Sequence, residues 1–161
     1  MAAEKIRVAV IGTGSLGKEH ARLYAELART GAVDFVGVFD ANPEVARKHA
    51  AAHGTRAFAS IAEAAAASDA LSIVTPTTTH FDIAKTLLEQ GRHVLVEKPM
   101  TERSDQAAEL VRLAHDRALV LQVGHVERFN PVFSYLETAA PEPRFIECHR
   151  LSPFPARSTD I

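Results

Sequence analysis

The chain has 161 residues, 47% of them hydrophobic and 24% charged, with a formal net charge of -2. That fits one domain of ordinary size with its own core, and the near-balanced charge gives neither nucleic acid nor an anionic membrane a reason to bind. A single cysteine, Cys148, rules out an intrachain disulfide and suits a reducing, cytoplasmic setting. The N-terminus lacks a secretory pattern, and no apolar run is long enough to span a bilayer.

In chain order, helix and strand signals alternate. Ile6 to Ile11 is a β-branched apolar run bounded by glycine, the pattern of a strand buried on both faces. Leu16, His20, Leu23, Tyr24 and Leu27 follow at helical spacing and form one stripe of an amphipathic helix. Phe35 to Phe39 is a second strand. Asn42-Pro43 supplies an N-cap and a proline at the first helical position, and Gly54 can close that helix in the left-handed conformation. Thr55 to Phe58 reads as a third strand, and Ser60 with Glu63 has capping-box spacing. Ala70 to Val74 is a fourth strand, followed by a helical stripe of Phe81, Ala84, Leu87 and Leu88 that ends at Gly91. His93 to Val96 is a fifth strand. A stripe of Ala107, Leu110, Val111 and Ala114 leads to a sixth, Leu119 to Val123.

Six strands alternating with five helices through short links predict an open parallel sheet with helices on both faces, a Rossmann doubly wound α/β fold over residues 1–124. Residues 125–161 differ. Asn130-Pro131 starts a short helix, Pro141 and Pro143 break it, and Arg144 to Leu151 reads as one strand. A lone strand cannot pair its backbone. The expectation is a linker helix and the first strand of a second α/β domain whose remainder is missing.

Gly12-Thr13-Gly14-Ser15-Leu16-Gly17 matches G-x-G-x-x-G, and it follows a strand and opens a helix, the context in which the pattern signals a dinucleotide site. Gly12 permits the tight turn, Gly14 lets a pyrophosphate approach the backbone, and Gly17 allows close packing. The N–H groups and dipole of the helix N-terminus receive phosphate charge. Asp40, ending the second strand, can accept from the adenosine ribose hydroxyls and would repel a 2′-phosphate, so NAD is favoured over NADP. Thr75-Pro76-Thr77-Thr78-Thr79-His80 leaves the fourth strand at the carboxyl end of the sheet, where ligands bind in such folds. Thr75, Pro76, Thr77 and His80 are therefore cofactor-site candidates. A proline turn with a threonine N-cap is an equally good reading of the same residues.

Glu97-Lys98-Pro99 comes directly after the fifth strand. Glu97 and Lys98 can border the nicotinamide side of the crevice, where partial burial and a cationic ring would lower the lysine pKa. A surface charge pair is the ordinary alternative. His49 and His53 have i, i+4 spacing but no third ligand in sight, and Cys148 and His149 are adjacent in the predicted strand and face opposite ways, so no metal site is expected.

The glycine motif, the Thr-Pro-x-x-x-His loop and the Glu-Lys-Pro turn, in this order and spacing, resemble the Gfo/Idh/MocA oxidoreductases over essentially the whole chain. Gly124-His125-Val126-Glu127-Arg128-Phe129-Asn130-Pro131 and Arg150-Leu151-Ser152-Pro153-Phe154-Pro155 are similar to the bacterial subgroup that includes UDP-N-acetylglucosamine 3-dehydrogenases. The resemblance implies an NAD-dependent dehydrogenase acting on a secondary hydroxyl of a sugar, nucleotide-sugar or cyclitol. It implies that Lys98 contacts the reacting hydroxyl, that Arg128 and Asn130 are candidate substrate contacts, with a capping and domain-docking role the alternative that the following proline favours for Asn130, and that the full-length protein is a homo-oligomer. Family members carry a second domain that supplies further active-site residues, so the chain as it stands is expected to bind cofactor and turn over poorly. A non-catalytic dinucleotide-binding or redox-sensing module is the competing reading.

Overall fold

The structure is a computed structural model that describes residues 5–139, 142, 144–149 and 151. It contains β1 (Arg7–Ile11), α1 (Gly17–Thr30), β2 (Asp34–Phe39), α2 (Pro43–His53), β3 (Arg56–Ala57), α3 (Ile61–Ala67), β4 (Ala70–Ile73), α4 (His80–Glu89), β5 (His93–Val96), α5 (Ser104–Asp116), β6 (Leu121–Val123) and α6 (Pro131–Ala139). All six strands pair in parallel in the order β3-β2-β1-β4-β5-β6. This is the doubly wound arrangement that the alternating pattern predicts, and its strand order reverses between β1 and β4.

The apolar run of β1 is explained by its two neighbours. Ala9 and Ile11 face a core built with Leu71, Ile73, Leu87, Leu88, Val94 and Leu110, while Val8 and Val10 face a second core with Ala21, Phe35, Val38 and Ala50. Successive strand side chains point to opposite faces, so a strand with both faces covered has no polar position to spare. Helices α1 and α2 cover one face, and α3, α4 and α5 cover the other. Each fully buried Leu or Ile adds about 1.5–3 kcal/mol over its exposed state.

Helix ends follow local chemistry. Asn42 accepts from Glu44 N–H at 3.0 Å, and Gly54 closes α2 at φ 63°. Ser60 accepts from Glu63 N–H at 3.1 Å, but the Glu63 carboxylate reaches Ala59 N–H at 2.7 Å instead of the Ser60 N–H a strict capping box would use. Strands β3 and β6 are shorter than the apolar runs suggest, because only the residues with a partner ladder count as strand.

Contacts divide the chain into residues 1–124 and residues 125–161. In the second unit Asn130 caps α6 by accepting from Val132 N–H at 3.0 Å. The strand expected over Arg144 to Leu151 is not present among the described residues: 144–149 and 151 belong to no ladder. Extended, β-prone sequence forms a strand only against a partner, and no described segment offers one. No helix of the described residues is long and apolar enough to cross a membrane.

Candidate functional site

Parallel register brings the sequence motifs together. Phe39, Ile11, Ile73, Val96 and Val123 are paired neighbours in one row across β2, β1, β4, β5 and β6. The residues that follow each of them, namely Asp40, Gly12, Val74 (with Thr75 next), Glu97 and Gly124, therefore leave the sheet at the same carboxyl edge. Four motifs scattered over 86 positions, from Gly12 to Lys98, meet where the strand order reverses.

The glycine loop is shaped by contacts the motif alone does not name. Gly12 sits at φ 87°, and its N–H donates to Phe39 O at 2.7 Å. A Cβ there would lie 2.5 Å from Val74 O. A Cβ on Gly17 would strike the Gly12 carbonyl, with the Gly12 carbonyl carbon only 2.8 Å away. Gly17 thus allows the first turn of α1 to close on the loop itself. A Cβ on Gly14 would meet nothing within 4 Å. Gly14, Ser15 and Leu16 are exposed, Leu16 opens α1 without a side-chain cap, and among the described residues their N–H groups have no acceptor. Unpaired N–H groups at a helix N-terminus beside an open face form an anion site. The residues present therefore fit a dinucleotide pyrophosphate.

Thr13 and Asp40, both expected at the cofactor, bind each other. Asp40 Oδ2 accepts from Thr13 N–H at 2.7 Å and from its hydroxyl at 3.0 Å, and Oδ1 accepts from Asn42 N–H at 2.9 Å. Burial pushes the Asp40 carboxyl up, but these hydrogen bonds outweigh it and hold the group below its ordinary value. Asp40 is thus an anion at neutral pH, with acceptor capacity left mainly on Oδ1.

The Thr75–His80 loop is a turn, without the threonine cap considered from sequence. Thr79 donates its hydroxyl toward Thr75 Oγ1 at 2.7 Å and Pro76 O at 2.8 Å, and makes no cap to α4. Thr77 is buried and Pro76 exposed. His80 is 1% exposed, and its ring nitrogens face Pro99 O and Thr75 O, each at 2.9 Å. Both acceptors are backbone carbonyls, so a neutral ring donates to one of them and a doubly protonated ring to both.

Glu97 and Lys98 are not the surface pair that neighbouring opposite charges usually form. Glu97 is 6% exposed, with Oε1 3.2 Å from His20 Nε2 and Oε2 accepting from the Lys98 N–H at 3.2 Å. Lys98 is exposed, so the partial burial expected of it is not seen. Adjacent positions after a strand point to opposite sides, which sends the carboxylate inward and the ammonium outward. His20 is a site residue that sequence reasoning passed over. It reads as one position of a helical stripe, and its only sequence signal is a polar side chain on an otherwise apolar face. Gly124 was also passed over: a Cβ there would lie 2.7 Å from Glu97 Cδ.

Arg128 and Asn130 lie in the second unit. The Asn130 side chain is committed within that unit, capping α6 and donating to Glu127 Oε2 at 2.9 Å.

A doubly wound sheet with a glycine loop, a helix N-terminus and a carboxylate at its switch point defines a dinucleotide-binding domain of the oxidoreductase type. Residues 6–125 match the family model of the Gfo/Idh/MocA oxidoreductases, described as an oxidoreductase family with an NAD-binding Rossmann fold, and the chain belongs to that family. It is 44% identical over 157 residues to UDP-N-acetylglucosamine 3-dehydrogenase of Acidithiobacillus ferrooxidans, covering 97% of this chain and 49% of that protein. It is 34% identical over 146 residues to inositol 2-dehydrogenase of Rhizobium meliloti, covering 88% of this chain and 42% of that one. The crystal structure of GenD2 from gentamicin A biosynthesis, in complex with NAD, superposes with a TM-score of 0.79 at 32% identity, over 87% of this chain and 40% of that one. The chain spans about half the length of the relatives it matches.

Proposed function

We propose that this chain is the cofactor half of an NAD-dependent dehydrogenase acting on a secondary hydroxyl of a sugar, nucleotide-sugar or cyclitol. The observation that carries the reading is the glycine loop, where unpaired N–H groups of Gly14, Ser15 and Leu16 surround an open face at the N-terminus of α1. The relatives named as dehydrogenases of a nucleotide-sugar and of inositol support the substrate class. When bound, the nicotinamide supplies the hydride acceptor. The protein's part is to hold the dinucleotide by the loop and Asp40, and to present Lys98 to the hydroxyl whose proton must leave.

Preference for NAD over NADP follows from charge. Asp40 is ionised where a 2′-phosphate would sit, and the next residues, Ala41 and Asn42, bring no positive charge. Burial first, and then Lys48 and His53, push the His49 ring below its ordinary value, so it is neutral at pH 7. The lone cysteine suits a cytoplasmic enzyme.

Calorimetric titration of the 161-residue chain with NAD, NADH and NADP tests the proposal. Micromolar to millimolar binding of NAD, at least about tenfold weaker binding of NADP, and loss of both in Gly14→Val are expected. A folded chain that ignores all three nucleotides overturns it.

A further inference from the structure

Among the described residues the Lys98 ammonium has no hydrogen bond or ion pair to orient it, yet both of its neighbours face histidines from different parts of the fold. On its N-terminal side, Glu97 is buried and its Oε1 lies 3.2 Å from Nε2 of His20, one turn into α1. A carboxylate only accepts, so His20 donates through Nε2–H. The other Glu97 oxygen accepts from the N–H of Lys98, so the contact continues into the lysine backbone. On its C-terminal side, the carbonyl of Pro99 lies 2.9 Å from Nδ1 of His80, and Nε2 of the same buried ring lies 2.9 Å from Thr75 O. His80 therefore lies between the turn after β5 and the loop after β4, and donates to one of the two carbonyls when neutral and to both when doubly protonated. The end of β6 completes the frame: a side chain at Gly124 would occupy the space of the Glu97 carboxylate.

Glu97 is 6% and His80 1% exposed. A buried polar group that keeps a hydrogen bond holds one geometry, because a departure leaves its donor or acceptor unpaired. A long, rotamer-rich lysine at an exposed position has no such constraint of its own. The position of its backbone is then what determines where the ammonium can reach.

We propose that His20 and His80 are positioning residues that clamp the backbone on either side of Lys98 and so aim its ammonium at the nicotinamide end of the crevice. The clamp rests on the dinucleotide reading above. It also links cofactor and lysine: His20 belongs to the helix whose N-terminus would receive the pyrophosphate, and His80 ends the Thr75–His80 loop.

The two ring nitrogens of a histidine can be replaced separately, since an asparagine amide reaches about as far as Nδ1 and a glutamine amide about as far as Nε2. His80→Asn keeps a donor for Pro99 O, whereas His80→Gln keeps only the one for Thr75 O. His20→Gln keeps the donor to Glu97, whereas His20→Asn loses it. Each variant is prepared with isotope-labelled lysine. The chain has only five lysines, so Lys98 can be assigned with Lys98→Arg. NAD is then titrated by calorimetry and by NMR.

The wild-type Lys98 signal is expected to shift on NAD binding. His80→Asn and His20→Gln should keep that shift. His80→Gln and His20→Asn should lose at least about half of it when each is compared at saturating NAD, so that a change in affinity does not enter the reading. A general structural role would not separate the asparagine from the glutamine variant in opposite senses at the two positions. A Lys98 response that survives in both His80→Gln and His20→Asn overturns the clamp, as does a wild-type chain that binds NAD with no response at Lys98. A wild-type chain that fails to bind NAD at all overturns the cofactor reading beneath it.

Discussion

Replacing Asp40 by alanine removes the acceptor of three hydrogen bonds at once, and the three are not equal in cost. Asn42 is exposed, so water takes over its N–H. Thr13 is 1% exposed, and its N–H, 2.7 Å from Oδ2, has no water to turn to. An orphaned buried donor costs about 1–3 kcal/mol. The Thr13 hydroxyl can rotate, so losing its 3.0 Å bond adds about 0.5–1 kcal/mol. The sum is about 1.5–4 kcal/mol, or a fall in Tm of roughly 4–16 °C for a unit of this size. Asp40→Asn, which keeps one acceptor oxygen, should lose about half as much. Far-UV circular dichroism melts and urea unfolding of the cofactor-free chain measure both. A loss in Asp40→Ala smaller than about 0.5 kcal/mol, the scatter of ordinary surface substitutions, would refute the role assigned to this carboxylate. The pH dependence is a second check. Because the folded carboxyl lies below its ordinary value of 3.8, its stabilisation is complete above that value and is lost as pH falls through the folded pKa. The stability gap between wild type and Asp40→Ala should therefore be flat near neutrality and narrow in acid. A gap that widens in acid has the wrong sign.

The glycine loop yields a contrast between two residues of one motif. Gly14→Ala meets no protein atom and should melt within about 2 °C of wild type, yet weaken NAD at least about tenfold by calorimetry. Gly17→Ala drives its Cβ into the Gly12 carbonyl and should cost about 1–3 kcal/mol without any ligand; a wild-type melt for Gly17→Ala would contradict the packing described. At the opposite edge of the sheet, the hydrogen bonds of the Arg7 side chain first, and of its N–H second, pull the Asp69 carboxyl down to about 2. The pair is substantially exposed, with side chains at 46% and 35%, so solvent screening limits its worth to about 1 kcal/mol or less. Asp69→Asn should lose that amount at neutral pH and approach wild type between pH 4 and pH 2, as the native carboxyl protonates. Paired melts across that range would contradict this if the difference persisted unchanged.

What was legible in the sequence depended on interactions within a turn or so of chain. Strand and helix alternation follows from side-chain periodicity, the α2 boundaries from Asn42, Pro43 and Gly54, and the phosphate loop from three glycines at fixed spacing. These signals need no distant partner, and they carried the fold class and the order of elements along the chain. No ladder forms over the described residues 144–149 and 151, because a strand requires a partner, which local propensity cannot supply. Within the site, partner choice was likewise beyond local reach. Thr13 holds Asp40 27 positions away, and His20 holds Glu97 77 positions away. Only the parallel register brings Phe39, Ile11, Ile73 and Val96 into one row, so that the loops after them share an edge. The sequence by itself determined which elements form and which loops hold the candidate residues. Tertiary structure alone decided which of those residues face one another and which stay exposed, because burial leaves each polar group only the partners that sheet register places within hydrogen-bond reach.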